Sequence, residues 1–157
     1  MSDPAPLSPD NMLCFALYSA THAMQAVYAP MLDPLGITYP QYLILATLWQ
    51  QDDRTVGSLG RALHLETNTL TPMLKRMAAA GLVERRRDGE DERRVRITLT
   101  DAGRQLREQT AHFAGCILDR SGLTLAQLVD LQGQITRLRD HLRQPAAPAP
   151  KPPPRQP

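Results

Sequence analysis

Two thiols in this chain could be oxidised reversibly, Cys14 and Cys116, and they stand 102 positions apart. That spacing makes neither a disulfide framework nor a clustered zinc site. The four histidines, His22, His64, His112 and His141, are equally scattered, so no metal and no other cofactor is expected. A cysteine does chemistry as its thiolate, which needs nearby cations or hydrogen-bond donors. No Lys or Arg occurs from Met1 to Asp53, so the donors nearest Cys14 in the chain are phenols: Tyr18, Tyr28, Tyr39 and Tyr42. On the residues alone Cys14 has two readings. It is a small buried hydrophobe, the common fate of a free cysteine, or a thiol tuned by tyrosines. Cys116, beside Ala114 and Ile117, has the same two readings.

The second chemistry is cationic. The net charge of +2 divides into −5 over Met1 to Asp53 and +7 from Arg54 onward, and Lys75 to Arg96 alone hold eight Lys or Arg. Such a split implies a surface that meets a polyanion, or else a solvated, salt-bridged face. Aromatic residues are only 4% of the 157, which argues against a base-stacking platform for single strands.

These groups need elements to hold them. Ser8-Pro9 reads as a helix start, and Leu13, Leu17, Ala20, Met24 and Val27 recur at helical spacing up to about Tyr28, before Pro30. A second helix begins at Thr38 or Tyr39 and runs through Leu48 and Trp49. Leu59, Ala62 and Leu63 share a face of a short third helix. After the polar joint at Glu66, Leu70, Met73, Leu74 and Met77 form the inner face of a fourth, which starts at Thr67 despite Pro72 and ends at Gly81. Two short helices across a tight polar turn are a helix-turn-helix. Leu82–Arg87 and Arg94–Leu99 flank an Asp88-Gly89 turn signal and predict a β-hairpin wing.

Thr100-Asp101 opens a further helix with Ala102, Leu106, Phe113 and Ile117 inward, interrupted at Ser121-Gly122. Thr124 caps a last helix with Leu128, Leu131, Ile135, Leu138 and Leu142 on one seam. The expected fold is mainly α with a small β-hairpin wing. It is a winged helix-turn-helix dimerised through its N- and C-terminal helices, because one small domain has little room to bury both terminal seams.

On the fourth helix, spanning about Thr67 to Ala80, Asn68, Thr69, Thr71, Lys75 and Arg76 are left outside, where short hydroxyls reach base edges and cations reach phosphates or guanine. The hairpin adds Arg85, Arg86, Arg87, Arg93 and Arg94, and a wing-tip arginine can enter a narrow minor groove. Double-stranded DNA is the expected partner.

Five segments carry a resemblance: LCFALYS (13–19), YAPMLDPLGITYPQYL (28–43), TLTPMLKRM (69–77), GLVERRR (81–87) and DERRVRITLTDAG (91–103). In these the chain resembles the MarR family of transcriptional regulators, and within it the organic hydroperoxide resistance regulators. The resemblance implies that Cys14 is a peroxide-sensing thiol and that Tyr28 and Tyr39 hydrogen-bond its sulfur in the reduced protein. It implies that Asp91 and Arg93 are the wing's Asp-x-Arg motif, with the arginine on DNA and the aspartate orienting it. Cys116 lies in the helix where two-cysteine members carry a second thiol that resolves the oxidised sensor.

The organisation expected is an arm (1–7), a sensor and dimerisation helix with its connection (8–36), a winged helix-turn-helix (37–100), C-terminal dimerisation helices (101–144) and a disordered proline-rich tail (145–157). The function expected is that of a homodimeric repressor that leaves its operator when organic hydroperoxides oxidise Cys14. Two other functions compete: a regulator answering a small aromatic ligand between the dimer helices and the winged domain, and a thiol peroxidase. No apolar run approaches the ~18 uncharged residues of a membrane span and no basic leader precedes one, so a soluble, cytoplasmic protein without membrane partners is expected.

Overall fold

A computed structural model describes residues 8–144. The expected arm and proline-rich tail lie outside the described residues. The described chain divides into two compact units at the Ile117–Leu118 junction.

Ser8-Pro9 does not open the first α-helix. It starts a single 3₁₀ turn, Pro9–Asn11, after which extended Met12 resets the chain and α1 runs Leu13–Leu32. That helix also passes the expected stop, continuing through Pro30. Proline removes one backbone donor. The last turn is nonetheless held, because Leu32 is buried in the core and Met31 lies against it.

Helix α2, Tyr39–Gln50, begins at Thr38, whose backbone N–H donates to Gln41 Oε1 at 2.8 Å in a capping box. Strand β1, Arg54–Thr55, leads into α3, Val56–Leu63, where the Thr55 hydroxyl accepts from the Ser58 N–H. Leu59 is buried and Leu63 half-buried there, while Ala62 is exposed and Gly60 occupies the inner face. Helix α4, Thr67–Ala79, starts at the earlier of its two candidate positions and carries Pro72 inside. Leu70, Met73, Leu74 and Met77 are buried along it, as their spacing predicts.

Strands β2, Val83–Arg87, and β3, Val95–Leu99, pair antiparallel, and β1 joins the other edge of β3. The hairpin expected around Asp88-Gly89 is present, with a long connection between its strands. Residues 88–94 all lie in the connection, Asp88 N–H donates to the Arg94 carbonyl at 2.9 Å, and the left-handed glycines are Gly36, Gly81 and Gly122. The Asp88 carboxylate accepts from the Glu90 N–H at 3.1 Å, which folds the loop back on itself.

The single helix expected after Thr100 is broken in two: α5, Asp101–Gln109, and α6, Phe113–Ser121. Buried Thr110 makes the break, its hydroxyl donating to the Arg107 carbonyl at 3.0 Å. The turn delivers Phe113 into the core, 1% exposed. Ala102 faces solvent, and Gly103 takes the inner place because a Cβ there would lie 2.1 Å from the Leu82 carbonyl oxygen. In the second unit, α7 spans Leu125–Leu142 behind a Thr124–Gln127 capping box. No described helix is long and apolar enough to cross a membrane.

Candidate DNA-binding surface and thiol site

The inner face of α4 is anchored by Leu70, Met73, Leu74 and Met77, so the intervening residues must point away from the core. Asn68, Thr69, Lys75 and Arg76 are exposed there and Thr71 is half-buried. Thr71 and Thr67 form one wall of a cleft of about 370 Å³. The N-terminal turn of α3 and Arg61 form another, and Arg85, Arg93 and Arg94 close it from the wing. Four guanidiniums around one concave surface draw in a polyanion backbone. Arg61 is the cation that sequence reading missed. Its signal was its place in the first helix of the pair, one turn before His64.

The fold sorts the wing's arginines. Arg93 has no ion-pair partner among the described residues, while the Asp91 carboxylate accepts from the Arg93 backbone N–H at 3.1 Å and pairs with Arg94 Nε at 3.4 Å. Asp91 thus shapes the turn that carries Arg93, and its side-chain partner is Arg94. Arg86, read from the sequence as a DNA-facing cation, is ion-paired with Asp53 at 2.9 Å. Asp53 also binds Arg96 Nε at 2.9 Å, and Arg96 NH1 reaches Asp88 at 3.2 Å. Hydrogen bonds from Arg96 and then Arg86 hold the Asp53 carboxyl well below the usual carboxylate range, at about 2.

The thiols sit on different elements. Cys14 is exposed in the first turn of α1, and Cys116 is half-buried on α6; both are free. Tyr28 stands fourteen residues after Cys14 on the same helix, about 21 Å along its axis at 1.5 Å per residue. No hydrogen bond joins Cys14 to either tyrosine within the chain. The tyrosines do come together: Tyr28 and Tyr39 have ring centroids 4.8 Å apart, and Phe113 closes on Tyr28 at 6.2 Å and on Tyr42 at 5.4 Å. Burial, with Tyr39 and Tyr42 nearby, pushes the Tyr28 phenol up to about 12, and burial also raises Tyr39. Both therefore remain O–H donors at any physiological pH.

The seam of α1 is left open to solvent. Leu13 is 61% exposed, with Phe15, Tyr18 and Met24 exposed after it, and on α7 Leu131, Ile135 and Leu142 are exposed. Among the described residues no group of His, Cys, Asp and Glu could hold a metal ion.

Comparison with known proteins gives this geometry a family. The family model described as transcriptional regulator SarA/Rot matches residues 26–110, which takes in α2, the helix-turn-helix and the wing. The organic hydroperoxide resistance transcriptional regulator of Bacillus subtilis (strain 168) is 44% identical over 135 residues, covering 86% of this chain and 92% of its own. The chain belongs to the MarR/SarA-type family of transcriptional regulators. Among solved members, the reduced, DNA-bound form of the regulator AbfR is 38% identical, covers 87% of this chain and 96% of its own, and superposes with a TM-score of 0.72. The disulfide form of AbfR, 39% identical, covers 82% of this chain and 90% of its own and superposes at 0.59. AbfR is a protein of Staphylococcus epidermidis. The winged helix-turn-helix of this MarR/SarA-type chain is the family's.

Proposed function

We propose that this protein is a dimeric, cytoplasmic DNA-binding repressor that senses organic hydroperoxides through Cys14 and then releases its operator. It is a regulator and not an enzyme, as its named relatives are. The observation that carries the reading is the coexistence of an arginine-lined recognition surface with an accessible thiol on a helix whose apolar seam is uncovered. Burying that seam against a second copy is worth roughly 1.5–3 kcal/mol for each large side chain removed from water.

The dimer also resolves the distance between Cys14 and the tyrosines. With about 21 Å of helix between Cys14 and Tyr28 in one chain, both phenols reach the sulfur only from the partner chain. Asn68, Thr69 and Thr71 then face base edges, and Lys75, Arg76 and Arg93, with Arg61 and Arg85, meet the DNA backbone and grooves. Half-sites fall about one or more helical turns apart, as two copies related by a two-fold axis require.

In the sensing step the Cys14 thiolate attacks the terminal oxygen of the hydroperoxide. The O–O bond breaks, an S–OH group forms, and the departing alkoxide takes a proton to become an alcohol. The sulfenic acid then condenses with a thiol, forming an S–S bond and releasing water. Cys116 of the partner is that thiol in this proposal. Cys116 lies one turn beyond Phe113, whose ring meets Tyr28, so within one chain it belongs to the far end of α1 from Cys14.

The test is DNA binding by purified reduced protein before and after one equivalent of cumene hydroperoxide. Loss of binding, restored by dithiothreitol, is expected. Undiminished binding by fully oxidised protein overturns the sensor reading and favours a ligand-responsive regulator.

A further inference from the structure

Arg86 and Arg96 are direct partners across the β2–β3 ladder, so two guanidiniums leave the same face of the wing side by side. Like charges placed so are destabilising unless an anion stands between them. Asp53 is that anion. Its Oδ2 takes Arg86 and its Oδ1 takes Arg96 Nε, while its backbone carbonyl accepts from Arg96 NH2 at 2.6 Å. The aspartate is itself held in the left-handed region, φ +56°, a conformation that few side chains other than Asp and Asn tolerate. It sits between the end of α2 and β1, so one residue ties the second helix to both strands of the wing. The neighbouring Asp52 ties the same corner to the base of the wing, accepting from the Leu99 N–H at 2.9 Å and pairing with Arg104 of α5 at 2.8 Å.

Strand alternation sends the adjacent Arg85 to the opposite face, where it lines the cleft beside α4 with Arg93. The wing thus has a structural face and a DNA face. We propose that Asp53 is the positioning residue that sets the wing against the helix-turn-helix for sequence-specific DNA binding, with Arg86 and Arg96 as its anchors rather than as contacts to DNA. The inference rests on the DNA-binding reading above and assigns an acidic side chain a favourable part in it.

The sign of the effect separates this from simple electrostatics. Removing a negative charge beside a DNA surface strengthens binding to any duplex by counterion release. Removing the wing's anchor weakens binding only where the wing must be in register. The probes are a 30-base-pair duplex enriched from a random library by the reduced wild-type protein, and a random duplex of the same length. Asp53→Asn is expected to bind the enriched duplex about tenfold or more weakly, while its affinity for the random duplex stays the same or rises. Asp53→Glu is expected to recover part of the loss.

Equal changes on both duplexes, or tighter binding to the enriched one, overturn the proposal. If Asp53→Asn fails to fold, Arg96→Gln and Arg86→Gln carry the test. An anchor loses discrimination at an unchanged salt slope, whereas a phosphate contact loses affinity on both duplexes and about one unit of slope. Failure of the wild type to enrich any duplex refutes the DNA-binding reading itself. An enriched duplex that Asp53→Asn binds as the wild type does refutes only the inference drawn here.

Discussion

Tyr28 and Tyr39 stand with ring centroids 4.8 Å apart and planes tilted by 49°, and neither hydroxyl makes a hydrogen bond to a described residue. A pair of protonated, unengaged phenols held by packing is a ready donor site for an incoming anion. In the proposed dimer that anion would be the partner's Cys14 thiolate.

Replacing either phenol tests this. Tyr28→Phe and Tyr39→Phe keep the ring packing and remove one hydrogen-bond donor each from the proposed thiolate site. Stopped-flow oxidation by cumene hydroperoxide is expected to slow about tenfold for each, as the loss of one hydrogen bond to a charged group gives. Cys14→Ser should still bind DNA and ignore peroxide altogether. Unchanged oxidation rates in both phenylalanine variants would detach the tyrosines from the sensor.

Cys116 is tested on non-reducing denaturing gels. Peroxide-treated wild type should run as a covalent dimer that dithiothreitol reverses, and Cys116→Ser should remain monomeric. The variant should also proceed further to sulfinic acid under excess peroxide, since nothing captures its sulfenic acid. A wild type that loses DNA affinity while staying monomeric on gels would assign resolution to an external thiol.

Arg93→Ala removes an unpaired guanidinium from the wing loop. If it neutralises one phosphate, binding should weaken and the salt slope fall by about one unit. If the side chain lies in a narrow minor groove, the loss should instead track A/T content beneath the wing. Full wild-type affinity at moderate salt would take Arg93 out of the interface.

Gly103→Ala should be among the most damaging small substitutions in the chain. The new Cβ would meet the Leu82 carbonyl oxygen at 2.1 Å, and the shift needed to relieve it disturbs the 2.9 Å hydrogen bond from Trp49 Nε1 to the Gly103 carbonyl. A loss of about 3 kcal/mol in urea unfolding is expected, as overpacking against rigid backbone gives. A loss within experimental error would show that α5 can move away from β2 freely.

Acid should release the wing's anchor. The Asp53 carboxyl is lowered to about 2 by Arg96 and Arg86, so its contribution is complete above the ordinary carboxylate range and disappears as pH falls towards 2. Asp88 shifts the same way, through the Glu90 N–H and Arg96. The stability difference between wild type and Asp53→Asn should therefore be constant from pH 7 to 5 and shrink between roughly pH 4 and 2. A difference that persists unchanged at pH 2 would contradict the ion-pair origin of the shift.

Local chemistry accounts for what could be read before the fold was known. The period of Leu70, Met73, Leu74 and Met77 identifies the inner face of α4, because helical spacing alone decides which side chains share a side. Thr38, Thr124 and left-handed Gly81 mark helix ends through interactions three or four residues long. The strands of the wing follow from alternation in the same way. Even the uncovered seams of α1 and α7 were readable as apolar residues too many for one small core.

The places where sequence reading went astray are those decided by distant partners. Ser8-Pro9 and Pro30 carry strong local signals, yet α1 starts only at Leu13 and runs on past Pro30 to buried Leu32. Asp88-Gly89 marks the hairpin, but nothing local shows that Asp88 will pair with Arg96. Arg86 looks like every other wing arginine until Asp53, thirty-three positions earlier, is brought against it. Within one chain a rigid α-helix keeps Cys14 and Tyr28 about 21 Å apart, so their proposed contact needs the second chain. Pairings across tens of residues, and across a second chain, depend on how elements stack, and no local pattern encodes that.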